Sequence, residues 1–571
     1  TVLGLKNNSG ELSINADNSL NISHYLLLNG VIDLDGESQL IQKRYSPTQF
    51  SESIFDIAST GYLERDQQGE GNLYRYNYWS SPVYTGNDAT GGNFTTVSAA
   101  LRDGSSPDDA TYPRTINFVG GYDGSIGPPI SISTYWLFKY ADKSGAYSEW
   151  IPVGSEGKIY SGEGFTMKGT KVPVLPDNTP DQNYVFVGKP NNGTITLNIA
   201  STNSYLVGNP YPSALDANQF LIDNSPAGTN SIRGELYFWE HYGNDSHILR
   251  EYQAGYATYN FSGAVAGAFP HPDVDQTNPI SPKVPERYIA VGQSFYVVGE
   301  PGGTIEFNNG QRNFMTESSG NSIFMKIAKQ KSNNNNNNNN NNSETDLRPK
   351  FRIGFDAPKI NHRQLLLTID KNASEGIDWG YDSKLFGTIK DDMYWVIEDE
   401  KYVIQAINSI SSNTEIPLGI QTEEGGLIRI MIDALENVEE KTLIYIKDNL
   451  TGETYNIKNQ SFEINLEAGK YLDRFVLAFQ PRLKTIEEIK IFDGIHVFMN
   501  NSISELQLNR IVDTEIKNIN LINYLGQVTN TWNTNLTERI LSLPINNKST
   551  GVYLVQINTI NGNIVKKIII E

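Results

Sequence analysis

Six histidines and no cysteine set narrow limits on the chemistry open to this chain of 571 residues. Without cysteine there is no thiolate nucleophile, no thiolate metal ligand and no disulfide. Only His241, His247 and His271 fall in one region. His241 and His247 flank Tyr242-Gly243-Asn244-Asp245-Ser246, so together with Asp245 they form a nitrogen and oxygen set of metal-ligand character, to be weighed against plain loop histidines. Two acidic loops, Asp33-Leu34-Asp35-Gly36-Glu37 and His271-Pro272-Asp273-Val274-Asp275, are where Ca²⁺ would sit. The first lacks the twelve-residue loop with its distal Glu, and solvated turns are the expected form of both, so no cofactor is expected. Serine-hydrolase elbows, His-Glu-x-x-His helices and phosphate loops are missing. Among 65 acidic side chains no carboxylate pair stands out as a glycosidase pair. No catalytic residue is therefore assigned, and the chain is expected not to be an enzyme. Tyr78/Trp79, Trp136, Trp150 and Trp239 are candidate sugar platforms, although their alternation with apolar neighbours marks them first as core strand residues.

The net charge of −20 and pI of about 4.8 argue against nucleic acid, whose phosphates need clustered cations. No stretch approaches the roughly 18 to 20 apolar residues of a membrane helix. Thr1-Val2-Leu3-Gly4-Leu5 shows neither an initiator Met nor a signal-peptide plan, so the chain reads as a processed or truncated product.

The elements that must position these groups are strands. Apolar residues recur at i, i+2, and Gly, Asn, Asp and Pro clusters punctuate them, which predicts an all-β protein. Its length suggests about three to five domains; the composition shifts give four. In residues 1–66, short apolar pairs such as Leu12/Ile14, Leu20/Ile22 and Ile32/Leu34 suit the terminal coils of a parallel β-helix, with two hairpins as the other reading. Residues 67–313 form β modules, and a duplication is visible. Tyr135–Tyr140 leads to Gly162-Glu163-Gly164-Phe165, while Tyr237-Phe238-Trp239-Glu240 leads to Gly292-Gln293-Ser294-Phe295. Each copy then reaches a Gly-Thr-Ile strand, at Gly193 and Gly303. Residues 314–484 are expected to be a β-sandwich. Its Asn-rich stretch 333–342 would be a solvated loop between Ile323–Ile327 and Lys350–Phe355, paired as a long hairpin. Residues 485–571, with short strands at regular spacing and a closing hairpin, predict an immunoglobulin-like sandwich.

The last segment resembles a known family. Leu525-Gly526-Gln527-Val528 and Gly551-Val552-Tyr553-Leu554-Val555, followed by Gly562 and a Lys566-Lys567 strand, look like the type A C-terminal sorting domain of the Bacteroidota type IX secretion system. The resemblance implies an immunoglobulin-like export signal, received by the translocon and its outer-membrane barrel shuttle and then cut by a sortase-like surface peptidase. Gly526, Gln527, Gly551, Tyr553, Gly562, Lys566 and Lys567 are the sorting-signal candidates it gives. Alternation sends Lys566 and Lys567 to opposite faces. Upstream, Leu63–Gly69, Tyr76–Val83 and Leu206–Ser213 look like the C-terminal region of large flavobacterial adhesin-like surface proteins.

The expected function is thus a secreted cell-surface scaffold or adhesin, exported through periplasm and outer membrane, with surface glycans as further partners. The alternative is a secreted polysaccharide-binding or polysaccharide-degrading protein. Absence of cysteine fits a chain that must avoid misoxidation in the periplasm.

Overall fold

Strands dominate the computed structural model, as the period-two patterning requires. It describes all residues except 16, 47–50, 89–91, 105–112, 173–180, 244, 249–250, 269–282, 326–345, 388, 482–493, 512, 534–537, 547 and 571. Two compact units divide the chain, Thr1–Pro481 and Arg482–Glu571.

The first unit begins with two ladders of parallel strands. In one, Val2–Asn7 pairs with Ser19–Leu28, which pairs with Gln39–Gln42. In the other, Glu11–Ile14 pairs with Val31–Leu34, which pairs with Tyr62–Gly69. Parallel register places like on like: Leu12 lies beside Ile32 and Ile32 beside Leu63, while Leu20 lies beside Leu40. Leu26, Leu28, Ile32, Leu34, Leu40 and Leu63 thereby enter one core without solvent exposure. Strand Tyr62–Gly69 is also where the sheet changes sense, since its other edge pairs antiparallel with Gln182–Pro190.

The two Gly-x-(Gly/Ser)-Phe motifs occupy equivalent places in two sheets. Tyr76–Ser80 pairs with Gly164–Lys168, and Ser204–Gly208 pairs with Ser294–Val298. Their contacts are reciprocal. The amide of Ser80 donates to Gly292 O (2.7 Å) and that of Gly208 to Gly162 O (2.9 Å). Trp79 bridges Gln293, as Val207 bridges Glu163. The Gly-Thr-Ile strands Ile195–Ile199 and Gly303–Phe307 pair antiparallel about Thr196 opposite Glu306, the equivalent position in each copy. These relations describe a pseudo-two-fold axis. Gly162 (φ +91°) and Gly292 (φ +72°) open both motifs in the left-handed region that favours glycine.

The C-terminal part of this unit differs from the expected sandwich. Ten strands follow one another in a single hydrogen-bonded path, from Glu453–Asn456 through Tyr445–Asp448, Gly469–Ala478, Glu415–Thr422, Asp392–Ile397, Glu400–Ile407, Ile360–Ile369, Lys350–Ala357 and Gly426–Glu436 to Phe462–Leu466. The sheet wraps around one core, including Phe351, Leu366, Trp395, Leu418, Ile430 and Phe475. At its two ends the rings of Tyr455 and Phe462 stand 4.7 Å apart, leaving a nearly closed barrel. Every inner strand has hydrogen-bonded neighbours on both sides, so no second sheet is needed to cover the apolar face. The expected hairpin across the Asn-rich stretch does not form. Ser322–Ile323 instead pairs with Tyr288–Ile289, and Lys350–Ala357 pairs with Ile360–Ile369 and Gly426–Glu436. Alternation identified Lys350–Phe355 as part of a strand, whereas of Ile323–Ile327 only Ile323 lies in one and residues 326–327 lie outside the described residues; the partners are chosen by core registers elsewhere in the chain. Residues 333–342 lie outside the described residues.

On the barrel surface, His362 bridges Asp356 and Asp433, each at 2.8 Å. Burial opposes its charge, but the two carboxylates outweigh that effect and push the imidazole up to about 9. A raised value means the stabilising charge is fully present below the unfolded value of about 6.5 and is lost as pH rises through the folded one. Thermal melts of the intact chain should therefore show stability falling between about pH 6.5 and 9, by roughly 1–2 kcal/mol after allowance for partial exposure. His362→Gln should remove most of that slope. An unchanged slope in the variant would place its source elsewhere.

Among the described residues the second unit is a sandwich of seven strands. One sheet runs Ile495–Asn500, Glu505–Arg510, Ile540–Pro544; the other runs Val528–Trp532, Ile516–Ile522, Gly551–Thr559, Gly562–Ile570. One core, including Ile495, Leu508, Ile519, Leu521, Val555, Ile557 and Ile568, lies between them.

Candidate functional site

The last two strands of the second unit form a hairpin in unbroken register from Gly551 opposite Ile570 to Thr559 opposite Gly562. The loop between them is Ile560-Asn561. Thr559 Oγ1 donates to Gly562 O (2.7 Å) and accepts from the Asn561 amide, and Gly562 takes φ +133°. Among the described residues Gly562–Ile570 pairs on one side only, so it is the edge strand of its sheet.

Period-two geometry sorts the side chains of the hairpin. Tyr553, Val555, Ile557, Ile564, Ile568 and Ile570 are buried in the core, and the Tyr553 hydroxyl is held at Ser549 O and Oγ, both 3.1 Å away. The opposite face exposes Val552, Leu554, Val565 and Ile569, each about half accessible. Val552 stands directly opposite Ile569, and Leu554 opposite Lys567. Lys567 belongs to this outer face, whereas Lys566 falls in the inward row with Ile564 and Ile568 and is half-buried. Gly551 stands at the foot of the hairpin with no atom near its Cα hydrogens, at φ +159°.

Gly526 and Gln527 lie at the same end of the sheet as Gly551, in the turn from Ile516–Ile522 to Val528–Trp532, since Ile522 stands opposite Leu554. Asn523 builds this turn: its Oδ1 accepts from the amides of Leu525 and Gln527, both at 3.0 Å, and its Nδ2 donates to Gln527 Oε1 (3.0 Å). Gly526 at φ +80° closes it, and Tyr524 and Leu525 project into solvent. Gly526 and Gln527 thus shape a rigid tip, Gly551 and Gly562 delimit a hairpin, and Tyr553 anchors it from within.

In the first unit the proposed metal ligands do not converge. His241 Nε2 sits 3.0 Å from Gly243 O, Asp245 receives Asn72 Nδ2 (2.8 Å) and pairs with Arg75, and His247 lies between Lys168 and Asp123. His271, Asp273 and Asp275 lie outside the described residues. Among the described residues no group of three His, Asp or Glu could hold a metal ion. The Asp33–Glu37 loop is tied to its neighbours instead: Arg65 donates to Gly36 O (2.7 Å), and Glu37 accepts from the Ser318 amide (3.1 Å). Asp33 lies beside Glu64 in the parallel register. Burial, then Glu11 and Asp35, push the Asp33 carboxyl up to about 6; burial, then Asp33, Glu11 and Asp66, push that of Glu64 up to about 7.

The candidate sugar platforms are occupied by packing. Trp79 is buried against Tyr184, Phe186 and Phe324, and Trp136 is 7 % exposed. Trp239 stacks on Tyr78 (5.6 Å), and Trp150 meets Tyr78, Tyr140 and Tyr296 edge-on. One polar chain escaped sequence reasoning. Lys168, almost fully buried, donates to Tyr252 Oη (2.7 Å), meets His247 Nδ1 (3.0 Å) and lies 3.8 Å from the centre of the Trp136 ring. Burial lowers its ammonium to about 7. Its partners are 79 and 84 residues away in sequence, so no local pattern announces the contact.

Comparisons with known proteins agree with the location of these features. Residues 500–571 match the secretion system C-terminal sorting domain family. No curated protein matches the chain. Two solved structures are similar at low level: Tp47, the 47-kilodalton lipoprotein of Treponema pallidum (8% identity, 66% of this chain and 90% of that chain, TM-score 0.15), and a biofilm-associated protein BSP domain (8% identity, 89% and 95%, TM-score 0.12). TM-scores of this size establish no shared fold. A family described as a domain of unknown function, DUF8693, matches residues 124–479, which take in Trp136, the second motif copy and the barrel. With more than half its length in that match and a type IX sorting signal at its end, the chain belongs to the DUF8693 family and is a substrate secreted across the outer membrane to the cell surface or medium.

Proposed function

We propose that the sorting unit is read by the translocon and its outer-membrane barrel shuttle through the outer face and edge strand of the terminal hairpin. The observation that carries this reading is the exposed apolar row Val552, Leu554, Val565 and Ile569 on an edge hairpin. Sheet edges of monomeric proteins are ordinarily blunted by charge, and here Lys567 is the one ionised side chain on that face of the terminal strand. An edge strand offers backbone pairing and the apolar row offers side-chain burial, the two components of recognition by strand addition. A sortase-like peptidase then acts between the two units.

After export, residues 1–481 act without catalysis, as a scaffold or adhesin at the cell surface. The parallel ladders of residues 1–66 support this, because stacked parallel strands that bury one apolar stripe suit an extended structural element rather than a catalytic one. An adhesin of the kind found in flavobacteria is the corresponding identity for the whole protein.

Outer-face charges test the export reading. Val552→Lys with Ile569→Asp, an opposite-charge pair across the strands, should cut secretion at least about tenfold, since two buried apolar contacts are worth more than about 1.4 kcal/mol. The isolated unit should melt within a few degrees of the parent, because both side chains point away from the core. Normal secretion of the double variant would show that the machinery reads another surface.

A further inference from the structure

A second surface, in the first unit, is built to bind rather than to pack. Tyr122, Tyr135 and Tyr147 are 57 %, 50 % and 65 % exposed. The rings of Tyr122 and Tyr135 meet at 83° with centroids 4.7 Å apart, forming a corner, and the Tyr147 hydroxyl lies within electrostatic reach of that of Tyr135. Beneath the corner, Tyr135 packs edge-on against Trp136 (4.6 Å), and Trp136 stacks on His247 (4.9 Å, 18°). The loop bearing Tyr122 is fastened at its backbone. Trp136 Nε1 donates to Tyr122 O and Ser133 Oγ to Gly121 O, both at 2.6 Å. Beside the corner runs a polar chain: the exposed Asp123 carboxylate accepts from His247 Nε2 (2.8 Å), His247 Nδ1 meets Lys168 Nζ, and Lys168 donates to Tyr252. Tyr122 and Tyr135 pack on Trp136 from one side and keep about half of their surface in water beside a fixed carboxylate and imidazole, which leaves aromatic area open to a ligand.

We infer that this corner of Tyr122 and Tyr135, rimmed by Asp123 and His247 and with the exposed Tyr147 nearby, is a binding site for neutral hexopyranose units of a polysaccharide. A pyranose has one apolar C–H face and an equatorial belt of hydroxyls. The face lies on one tyrosine ring while the ring edge abuts the second, and the hydroxyls reach Asp123, His247 and the tyrosine hydroxyls. Charge selects among glycans: Asp123 at the rim and a net charge of −20 repel uronate or sulfate chains. The tyrosines are held before the ligand arrives, so little ordering opposes binding. This goes beyond the export role, and it is tested without any secretion readout, so the two can fail independently.

The test is affinity electrophoresis of the full chain in native gels containing soluble β-1,3-glucan, mannan, galactan or amylopectin, with polygalacturonate as the anionic counterpart. At least one neutral gel should retard the chain, and polygalacturonate should not. Tyr135→Ala should weaken that retardation about tenfold, and Tyr147→Ala and Asp123→Asn several-fold. Tyr455→Ala, on the barrel, should leave it unchanged. Tyr147 is exposed enough that its loss leaves folding intact, so it remains informative if Tyr135→Ala destabilises the loop. Retardation by none of the neutral polymers, retardation by polygalacturonate alone, or retardation equal in the Tyr147 and Asp123 variants would overturn the assignment.

Discussion

Removal of Arg482–Glu571 should leave the rest of the protein folded but abolish its export. The two units have separate cores: Ile495–Ile570 contributes its own sandwich core, while the cores of the first unit are built from residues between Ile22 and Phe479. The truncated chain, Thr1–Pro481, should therefore melt with the transition of the first unit and accumulate in the periplasm. Cell fractionation followed by immunodetection distinguishes the outcomes. The converse transfer is more demanding: Arg482–Glu571 fused to an unrelated periplasmic protein should carry it across the outer membrane. Export of the truncated chain at the normal level would remove the sorting role from this unit. An unfolded truncated chain would instead show that the first unit depends on the second.

The second large effect concerns the barrel. Asp392 is wholly buried and Arg363 nearly so; they form two parallel hydrogen bonds, Arg363 Nε to Asp392 Oδ1 at 2.7 Å and Nη2 to Oδ2 at 2.9 Å. Their strands are separated in the sheet by Glu400–Ile407, so the pair ties non-neighbouring strands. Replacing Asp392 with Ala leaves a guanidinium buried without its counter-charge, which costs about 3–5 kcal/mol. For a unit the size of Thr1–Pro481 that corresponds to a fall in Tm of roughly 3–5 °C. Arg363→Met with Asp392→Leu removes both charges together and should cost far less, because the desolvation of the two ions is then also avoided. Thermal and urea melts of the two variants decide the matter. If Asp392→Ala were within about 1 kcal/mol of the parent, Arg363 would have found water or another acceptor on relaxation.

Legibility in the sequence followed the range of each interaction. Lys566 and Lys567 could be placed on opposite faces of the terminal strand because alternation along a strand is local, and Asn561-Gly562 announced the turn that precedes it. The duplicated motif was legible because each copy needs its own glycine, Gly162 or Gly292, at positive φ. The aromatic candidates, read first as core strand residues, are indeed packed. Trp79, Trp136 and Trp239 drew notice by residue type, whereas the exposed rings are tyrosines in short irregular segments, Tyr122, Tyr135 and Tyr147, whose exposure no periodicity encodes.

By itself, then, the chain of residues determined an all-β protein, its repeated motif, and a terminal unit with the pattern of a secretion signal. Those properties depend on side chains within a few positions of one another. Only the tertiary structure decided that residues 350–478 wrap into one barrel-like sheet, that the two motif copies exchange hydrogen bonds about a pseudo-two-fold axis, and that Asp123, Lys168 and His247 meet. Alternation reports which face of a strand is buried; pairing depends on two strands at once. His247 reaches Asp123 across 124 residues because the registers of intervening strands close that loop, and register is settled by the whole core.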